Sequence, residues 1–450
     1  MPFAYPDSPV FYRKLRRTYP LIVRGEGCWL HDSTGRSYLD GCGGAFVANI
    51  GHGVAAIGDA MARQAARLGY VSGMTFTHEP VEALAAAIVA RAPGDLDHVY
   101  FLSSGSEAVE AALKLARQYW VERGRPSKHK VLALAPSYHG NTLLALSASA
   151  REQYRTTYRD WLVAVPRVPA PYEYRCACHG QSEPCAACSG DALEAAILRE
   201  GADSIAAFIA EPIGGSSTGA SVPRPGFWRR VRELCDRHGV LFVADEVLSG
   251  AGRTGTWSAL EPYGVTPDVL VMGKGIAGGY APLSAVVAPR RIVDVLAEGS
   301  GALLHAQTFS HHPVTCAAGL ATLEYIAAHD LIGRCARLAP AFHAALEPLR
   351  DLPHVGDTRG RGLLAGIEFV EDKESRAPFP RAVRFAERFT DAARDAGLIV
   401  WPNSGQADGT NGDLVMLAPP FVITEAEIAM IVDRLRTALD ATLAAVLTPR

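Results

Sequence analysis

Lysine is scarce in this chain. Of its 44 Lys plus Arg residues only six are lysine, at positions 14, 114, 128, 130, 274 and 373. Also missing is any apolar run near the roughly 18 residues of a membrane span. The opening stretch "MPFAYPDSPVFYRKLRR" lacks the apolar core of a signal peptide. No membrane partner is expected, and a cytoplasmic location follows as the default. A net charge of −3 and a pI near 6.5 supply no basic footprint for nucleic acid. Nine cysteines, an odd number, with Cys28, Cys42, Cys235, Cys316 and Cys335 scattered, do not make a disulfide framework. The stretch "GGSSTG" (214–219) lacks the G-x-G-x-x-G spacing of a nicotinamide-binding loop, which discounts that class of oxidoreductase.

What is present reads as an ordinary globular chain. Its 450 residues are 48% hydrophobic and 20% charged, enough for two or three domains. In the middle, short apolar runs alternate with helical patterns. "DHVYFL" (97–102), "KVLALA", "IAAFIAEP", "VLFVADEV" and "DVLVMGK" read as strands. Between them lie a helix ending at Gly124, one beginning at Asp191, and one running from Pro225 to Gly239. Continuous apolar strands alternating with helices predict a mostly parallel sheet covered on both faces. The ends differ: a hairpin over 24–40 turning at Ser33 to Gly35, then helices and short strands after about 335. A last helix opens with the capping box Thr424/Glu427. The expected organisation is a large α/β domain at 75–330 and a smaller α+β domain assembled from 1–74 and 331–450.

The lysine that stands out is in "VLVMGKGIAGGYAPLSAVV" (269–287). Arginine serves as the plain surface cation elsewhere, yet Lys274 sits in the most apolar setting of the six. Arginine keeps its proton, whereas a desolvated lysine can lose it and form a Schiff base with a carbonyl. The other reading is a lysine snorkelling at a strand end. Three further pieces match the first. In "FLSSGSEAVEAALKLAR", Ser104 with Glu107, or Ser103 with Ser106, can cap a helix whose free N–H groups suit a phosphate, and Gly105 lets the backbone come close to it. In "VLFVADEVLSGAGRTGTW", Asp245 emerges at the carboxyl end of a buried strand, where a carboxylate can pair with a protonated ring nitrogen; Glu246 beside it is read as a cap. In "PSYHGNTLLALS", Tyr138 and His139 follow a strand, so an aromatic ring lies at the same edge. Phosphate cradle, ring, aspartate and lysine are the parts needed to bind pyridoxal 5′-phosphate (PLP).

These motifs, with "LDGCGGAFVANIGH", "AEPIGG", "QTFSHHPVTCAAGL", "RGRGLLAGIEF" and "LAPPFVIT", resemble the class III PLP-dependent aminotransferases over nearly the whole chain. That group contains ω-amino acid and amine:pyruvate transaminases. The resemblance implies PLP fold-type I, aspartate-aminotransferase-like, in a homodimer or homotetramer with shared active sites. It implies that Lys274 carries the cofactor and shuttles the substrate proton, and that Asp245 pairs with the ring nitrogen. It places Gly105 and Ser106 at the phosphate, Thr308 reaching it from the partner subunit, Tyr138 (followed by His139) and Val247 on the two ring faces, Glu211 near the ring oxygen, and Phe46 in the substrate pocket. Two departures stand out. His311 occupies a position where relatives commonly have glycine. No arginine falls in 402–420, where many relatives carry one before "LAPP" to pair with the substrate carboxylate. Arg253 is read as structural.

The expected activity is ping-pong transamination from a primary amine or ω-amino acid to an α-keto acid, pyruvate first. A dialkylglycine-type decarboxylase or an aminomutase on the same fold is the alternative. A non-enzymatic zinc-binding relative is a more distant one. Four cysteines fall in "CACHGQSEPCAAC": Cys176, Cys178, Cys185 and Cys188, with His179 beside them. A redox pair or plain loop thiols is the preferred reading, structural zinc the alternative, and no catalytic metal is expected.

Overall fold

The computed structural model describes residues 3–447. Seven strands form the central sheet, in the order Leu96–Leu102, Ser284–Pro289, Val269–Met272, Leu241–Asp245, Ile205–Ala210, Lys130–Ala135 and Arg167–Pro169. Only Ser284–Pro289 runs antiparallel to its neighbours. Every residue of Ile205–Ala210, Leu241–Asp245 and Val269–Met272 is buried, because helices cover both faces. The strands feed two separate cores by alternation. Ile209, Val243 and Val271 pack with Ala108, Ala112 and Leu115 of the helix Gly105–Glu122. Phe208, Phe242 and Leu270 turn to the other side, with Trp228 and Leu234 of Phe227–His238.

The chain ends meet in two smaller sheets. Ile22–Glu26, Trp29–Asp32 and Ser37–Asp40 form a meander, and Leu398–Ile399 adds in parallel to its last strand. The turn at its centre is held by Asp32, whose Oδ1 accepts from the Thr34 N–H at 2.9 Å and the Arg36 N–H at 3.0 Å. Val355–Arg361, Leu364–Phe369, Asp413–Leu417 and Trp401–Ser404 make the other sheet, antiparallel throughout. The last helix carries its capping box: the Thr424 N–H donates to Glu427 at 2.9 Å, and the Glu427 N–H to Thr424 Oγ1 at 3.2 Å. Among the described residues no helix is long and apolar enough to cross a membrane.

Candidate active site

Five parallel strands of the central sheet deliver five sets of side chains to one edge. Leu96–Leu102 leads to Gly105 and Ser106, Lys130–Ala135 to Tyr138 and His139, and Ile205–Ala210 to Glu211. Leu241–Asp245 ends on Asp245, and Val269–Met272 leads to Lys274. This is the carboxyl edge, where open α/β sheets bind ligands. A cavity of about 230 Å³ opens there, lined by all of these residues and by Phe46 and Val247.

One end of the cavity is built by the first turn of Gly105–Glu122. Ser104 is the cap: its Oγ accepts from the Glu107 N–H at 3.3 Å, while the Glu107 carboxylate takes the Ser103 N–H at 3.2 Å. The Gly105 and Ser106 N–H groups keep no protein acceptor among the described residues, so they and the helix dipole remain for an anion. Space there is tight. A Cβ on Gly105 would lie 2.7 Å from Val247 Cγ1, and one on Gly140 2.5 Å from Ser106 Oγ. Gly140 also has φ +133°, open to glycine alone at little cost.

At the other end Asp245 is buried and doubly held. Its Oδ2 lies 2.7 Å from His139 Nδ1, and its Oδ1 accepts from the Val247 N–H at 3.2 Å. His139 therefore sits behind the carboxylate and holds it, and its buried Nε2 has no partner among the described residues. Glu211 accepts from the N–H groups of Tyr138 and Gly215, each at 3.0 Å, and burial pushes its pKa up to about 7. Lys274 has φ +46°, unusual for a residue with a side chain, at the start of the short turn Lys274–Ala277. The Asn49 side chain clamps that turn by donating to the Gly275 carbonyl at 3.0 Å. The lysine Nζ has no hydrogen-bond partner among the described residues. Burial lowers its pKa, against the opposing pull of Asp245 and Glu211. The side chain faces the cavity rather than bulk solvent, which favours a reactive amine over a snorkelling one.

The sequence profile of the class-III aminotransferase family matches residues 11–439. The chain belongs to the class III aminotransferases. An uncharacterized aminotransferase, YodT, of Bacillus subtilis (strain 168) is 38% identical over 92% of this chain and 93% of its own. A putrescine–pyruvate aminotransferase of Pseudomonas aeruginosa is 34% identical over 95% and 92%. Among solved structures, an amine transaminase from an uncultivated Pseudomonas species, in its PLP-bound form, aligns with TM-score 0.88 at 35% identity, over 97% of this chain and 98% of that one. The fold is fold-type I, that of the PLP-dependent transaminases.

Within this aminotransferase, the expected site residues all meet at the cavity except Thr308. That residue is exposed on the loop before Pro313–Ala328, and its carbonyl accepts from the Tyr70 hydroxyl at 3.1 Å. His311 adopts φ +57°, a left-handed conformation that favours glycine; its ring packs edge-on to Tyr100 at 4.8 Å. Phe46 also has a positive φ, +65°, and its ring lies 5.4 Å from Trp401 across the cavity mouth. Such strain concentrates where function requires a side chain to point one way. Arg253 is buried, donating to the carbonyls of Leu363 at 3.1 Å and Pro419 at 2.6 Å, a structural role. Glu246 anchors the turn after it, taking the Ala259 N–H at 2.7 Å.

One residue of the aminotransferase pocket escapes the sequence reading. Arg151 is 8% exposed and lines the cavity. Its guanidinium donates to Ser216 Oγ at 3.1 Å and to Asn403 Oδ1, and stacks over Tyr154 at 4.5 Å. Its Nε has no partner, and no carboxylate pairs with it among the described residues. Nothing in "SASAREQYR" sets it apart from the other arginines.

Proposed function

We propose that this aminotransferase binds PLP on Lys274 and moves an amino group from a primary amine or ω-amino acid to an α-keto acid, pyruvate first, by alternating half-reactions. When bound, PLP supplies an aldehyde that condenses with amines and a ring that withdraws electrons from the adjacent carbon. The residues fit it. The Gly105 and Ser106 N–H groups would hold its phosphate, in a cradle that a single added Cβ would fill. Asp245, fixed by His139, would hold the protonated ring nitrogen, with Tyr138 and Val247 on the two ring faces and Glu211 near the ring oxygen. Lys274, with lowered pKa and no competing hydrogen bond, would take the proton from the substrate carbon and return it.

Arg151 supports a carboxylate on at least one substrate. A buried cation that no carboxylate contacts directly among the described residues is costly unless a ligand supplies one. It stands in for the arginine missing from 402–420, and the putrescine–pyruvate relative supports pyruvate as acceptor. We also propose a homodimer. Thr308 lies beside the exposed Tyr70 and Phe309, and Met74 and Phe76 a few residues on from Tyr70 are exposed too, apolar groups a second copy would cover while presenting Thr308 to its partner's phosphate.

The observation that carries the reading is the unpaired Lys274 amine facing the His139-bound Asp245 across one cavity. Borohydride reduction of the purified protein followed by peptide mapping is expected to place a pyridoxyl group on Lys274. With pyruvate and an amine donor, alanine should form without release of CO₂. Lys274→Ala should lose turnover and the visible absorbance while keeping its circular dichroism. Undiminished transamination by that variant would overturn the assignment, and CO₂ release would favour the decarboxylase. Arg151→Met should raise KM for pyruvate far more than for an aldehyde acceptor. An equal rise for both would remove Arg151 from carboxylate recognition.

A further inference from the structure

The segment between Arg167–Pro169 and the helix Asp191–Glu200 folds into a knot away from the active site. A turn brings the His179 N–H to the Cys176 carbonyl at 3.2 Å and the Gln181 N–H to that of Cys178 at 3.0 Å. The short helix Ala186–Ser189 starts at Cys185 and returns Cys188 to the same point. As a result the Sγ atoms of Cys176, Cys178, Cys185 and Cys188 all lie within 4.8 Å of one another. The nearest approaches are 3.3 Å for Cys176 and Cys188, 3.4 Å for Cys178 and Cys185, and 3.7 Å for Cys176 and Cys185.

These contacts link into a cluster rather than two separate pairs, since Cys176 and Cys185 each approach two sulfurs. Two disulfides would draw the sulfurs into isolated couples at about 2.05 Å. Four thiolates on a tetrahedral zinc, each about 2.3 Å from the metal, are instead about 3.8 Å apart. The observed spacing is close to that edge length. His179 is turned aside, its ring packed edge-on to Tyr174 at 5.4 Å, so the donor set is four sulfurs. A tetrathiolate zinc is dianionic, and a cation lies against the knot. Arg224, which pairs with Glu173 at 2.7 Å, also donates to the carbonyls of Cys178 at 3.2 Å, Gln181 at 2.8 Å and Ser182 at 3.0 Å.

We propose that Cys176, Cys178, Cys185 and Cys188 bind one structural Zn²⁺. The four thiols give up their protons to solvent as the metal binds, and no coordination position is left for substrate. The knot anchors a strap between the central and C-terminal sheets. Just before it, Arg175 Nε donates to Glu368 at 2.7 Å, and the Tyr172 hydroxyl bonds the same buried carboxylate on Leu364–Phe369. Arg376 reaches back to the Tyr174 carbonyl at 2.6 Å. Zinc would thus hold the strap that joins the two sheets.

The test is metal analysis of the full-length protein, purified under reducing conditions without added metal or chelator, together with its intact mass. One zinc per chain is expected, released stoichiometrically by a mercurial thiol reagent. Adding Co²⁺ to the zinc-stripped, reduced protein should give the intense visible bands of a tetrahedral tetrathiolate. Cys185→Ser should lose the zinc, while Cys235→Ser, at a buried cysteine elsewhere, should keep it. If Cys185→Ser does not fold, the wild-type zinc content and the Co²⁺ spectrum still decide. Zinc far below one per chain with no tetrathiolate Co²⁺ spectrum would overturn the proposal. So would iron in its place, or a mass four hydrogens short that maps to disulfides within 176–188.

Discussion

Gly105→Ala tests a tight contact in the proposed phosphate cradle. Gly105 needs no left-handed backbone, so alanine is allowed there, and as a better helix former it gains up to about 1 kcal/mol. The opposing term is steric. The new Cβ would sit 2.7 Å from Val247 Cγ1 and 3.2 Å from Cγ2, against an ordinary contact of about 3.5–4.0 Å. Valine is stiff about χ1, so relief must come from its backbone. That backbone N–H is the donor at 3.2 Å to Asp245 Oδ1. In the free protein Val247 can lean into the cavity, and the folding stability should change by less than about 1 kcal/mol. With the ring bound that room is gone, and an overpacking cost of about 1–3 kcal/mol is felt as affinity. Binding of PLP to the resolved apoenzyme should weaken about 5- to 150-fold. The assay is a fluorescence titration in two backgrounds. Val247→Ala removes both γ carbons, so adding Gly105→Ala to it should cost less than about 0.5 kcal/mol. If the glycine substitution weakens PLP equally in both backgrounds, within about 0.5 kcal/mol, the steric account is wrong.

Three other outcomes follow from the same coordinates. Asp245→Asn should retain PLP but slow turnover by orders of magnitude, several kcal/mol in barrier, seen in single-turnover rates; a near-normal rate would refute its pairing with the ring nitrogen. Lys128→Arg should destabilise by about 2–4 kcal/mol in urea titration, because a planar fork cannot meet three converging carbonyls; an unchanged midpoint would contradict this. Asp413 accepts from the Ala386 N–H at 2.8 Å with one oxygen and has no partner for the other among the described residues; burial raises its pKa to about 6. Between the unfolded value near 3.8 and that pH, the folded chain keeps a proton the unfolded chain has released. Stability therefore falls as pH rises through that window, and the loss persists above it. Asp413→Asn should add on the order of 2 kcal/mol at pH 8 and nothing below pH 4; the same gain at both would rule out the charge as its source.

Five of the seven strands of the central sheet and the helices between them were legible because their signals are local; Arg167–Pro169 and Ser284–Pro289 were not read as strands. Five continuous apolar residues before Asp245, Gly239 closing Phe227–His238, and the Thr424/Glu427 box all act within a turn or two of the chain. Strand direction is not local. That Ser284–Pro289 runs against its neighbours depends on a connection, not on "SAVVAP" itself. Arg151 was invisible for the same reason. Its burial comes from Ser216 and from Asn403, 252 residues away, and no neighbour in sequence reports either. The four cysteines were noticed, but their convergence needs the turn at Cys178 and the short helix at Cys185 together.

Lys128 corrects the premise that led to Lys274. In sequence it lies in a polar loop, yet it is fully buried, more so than Lys274. Its Nζ donates to the carbonyls of Ala202 at 2.8 Å, Ile205 at 3.0 Å and Gly239 at 2.8 Å, using every donor it has. The chain therefore keeps lysine for two purposes, a compact three-way donor and a reactive amine, and burial alone does not separate them. Hydrogen bonding does. Around Lys274 the two carboxylates are already engaged, Asp245 by His139 and Glu211 by two backbone N–H groups, so neither closes an ion pair on the amine. Burial lowers the pKa of both amines, that of Lys128 to about 8, but a proton lost at Lys128 breaks up its set of three hydrogen bonds. An ammonium held in a cavity, desolvated and without an acceptor among the described residues, loses little by deprotonating, and that difference supports the proposal that Lys274 is the nucleophile.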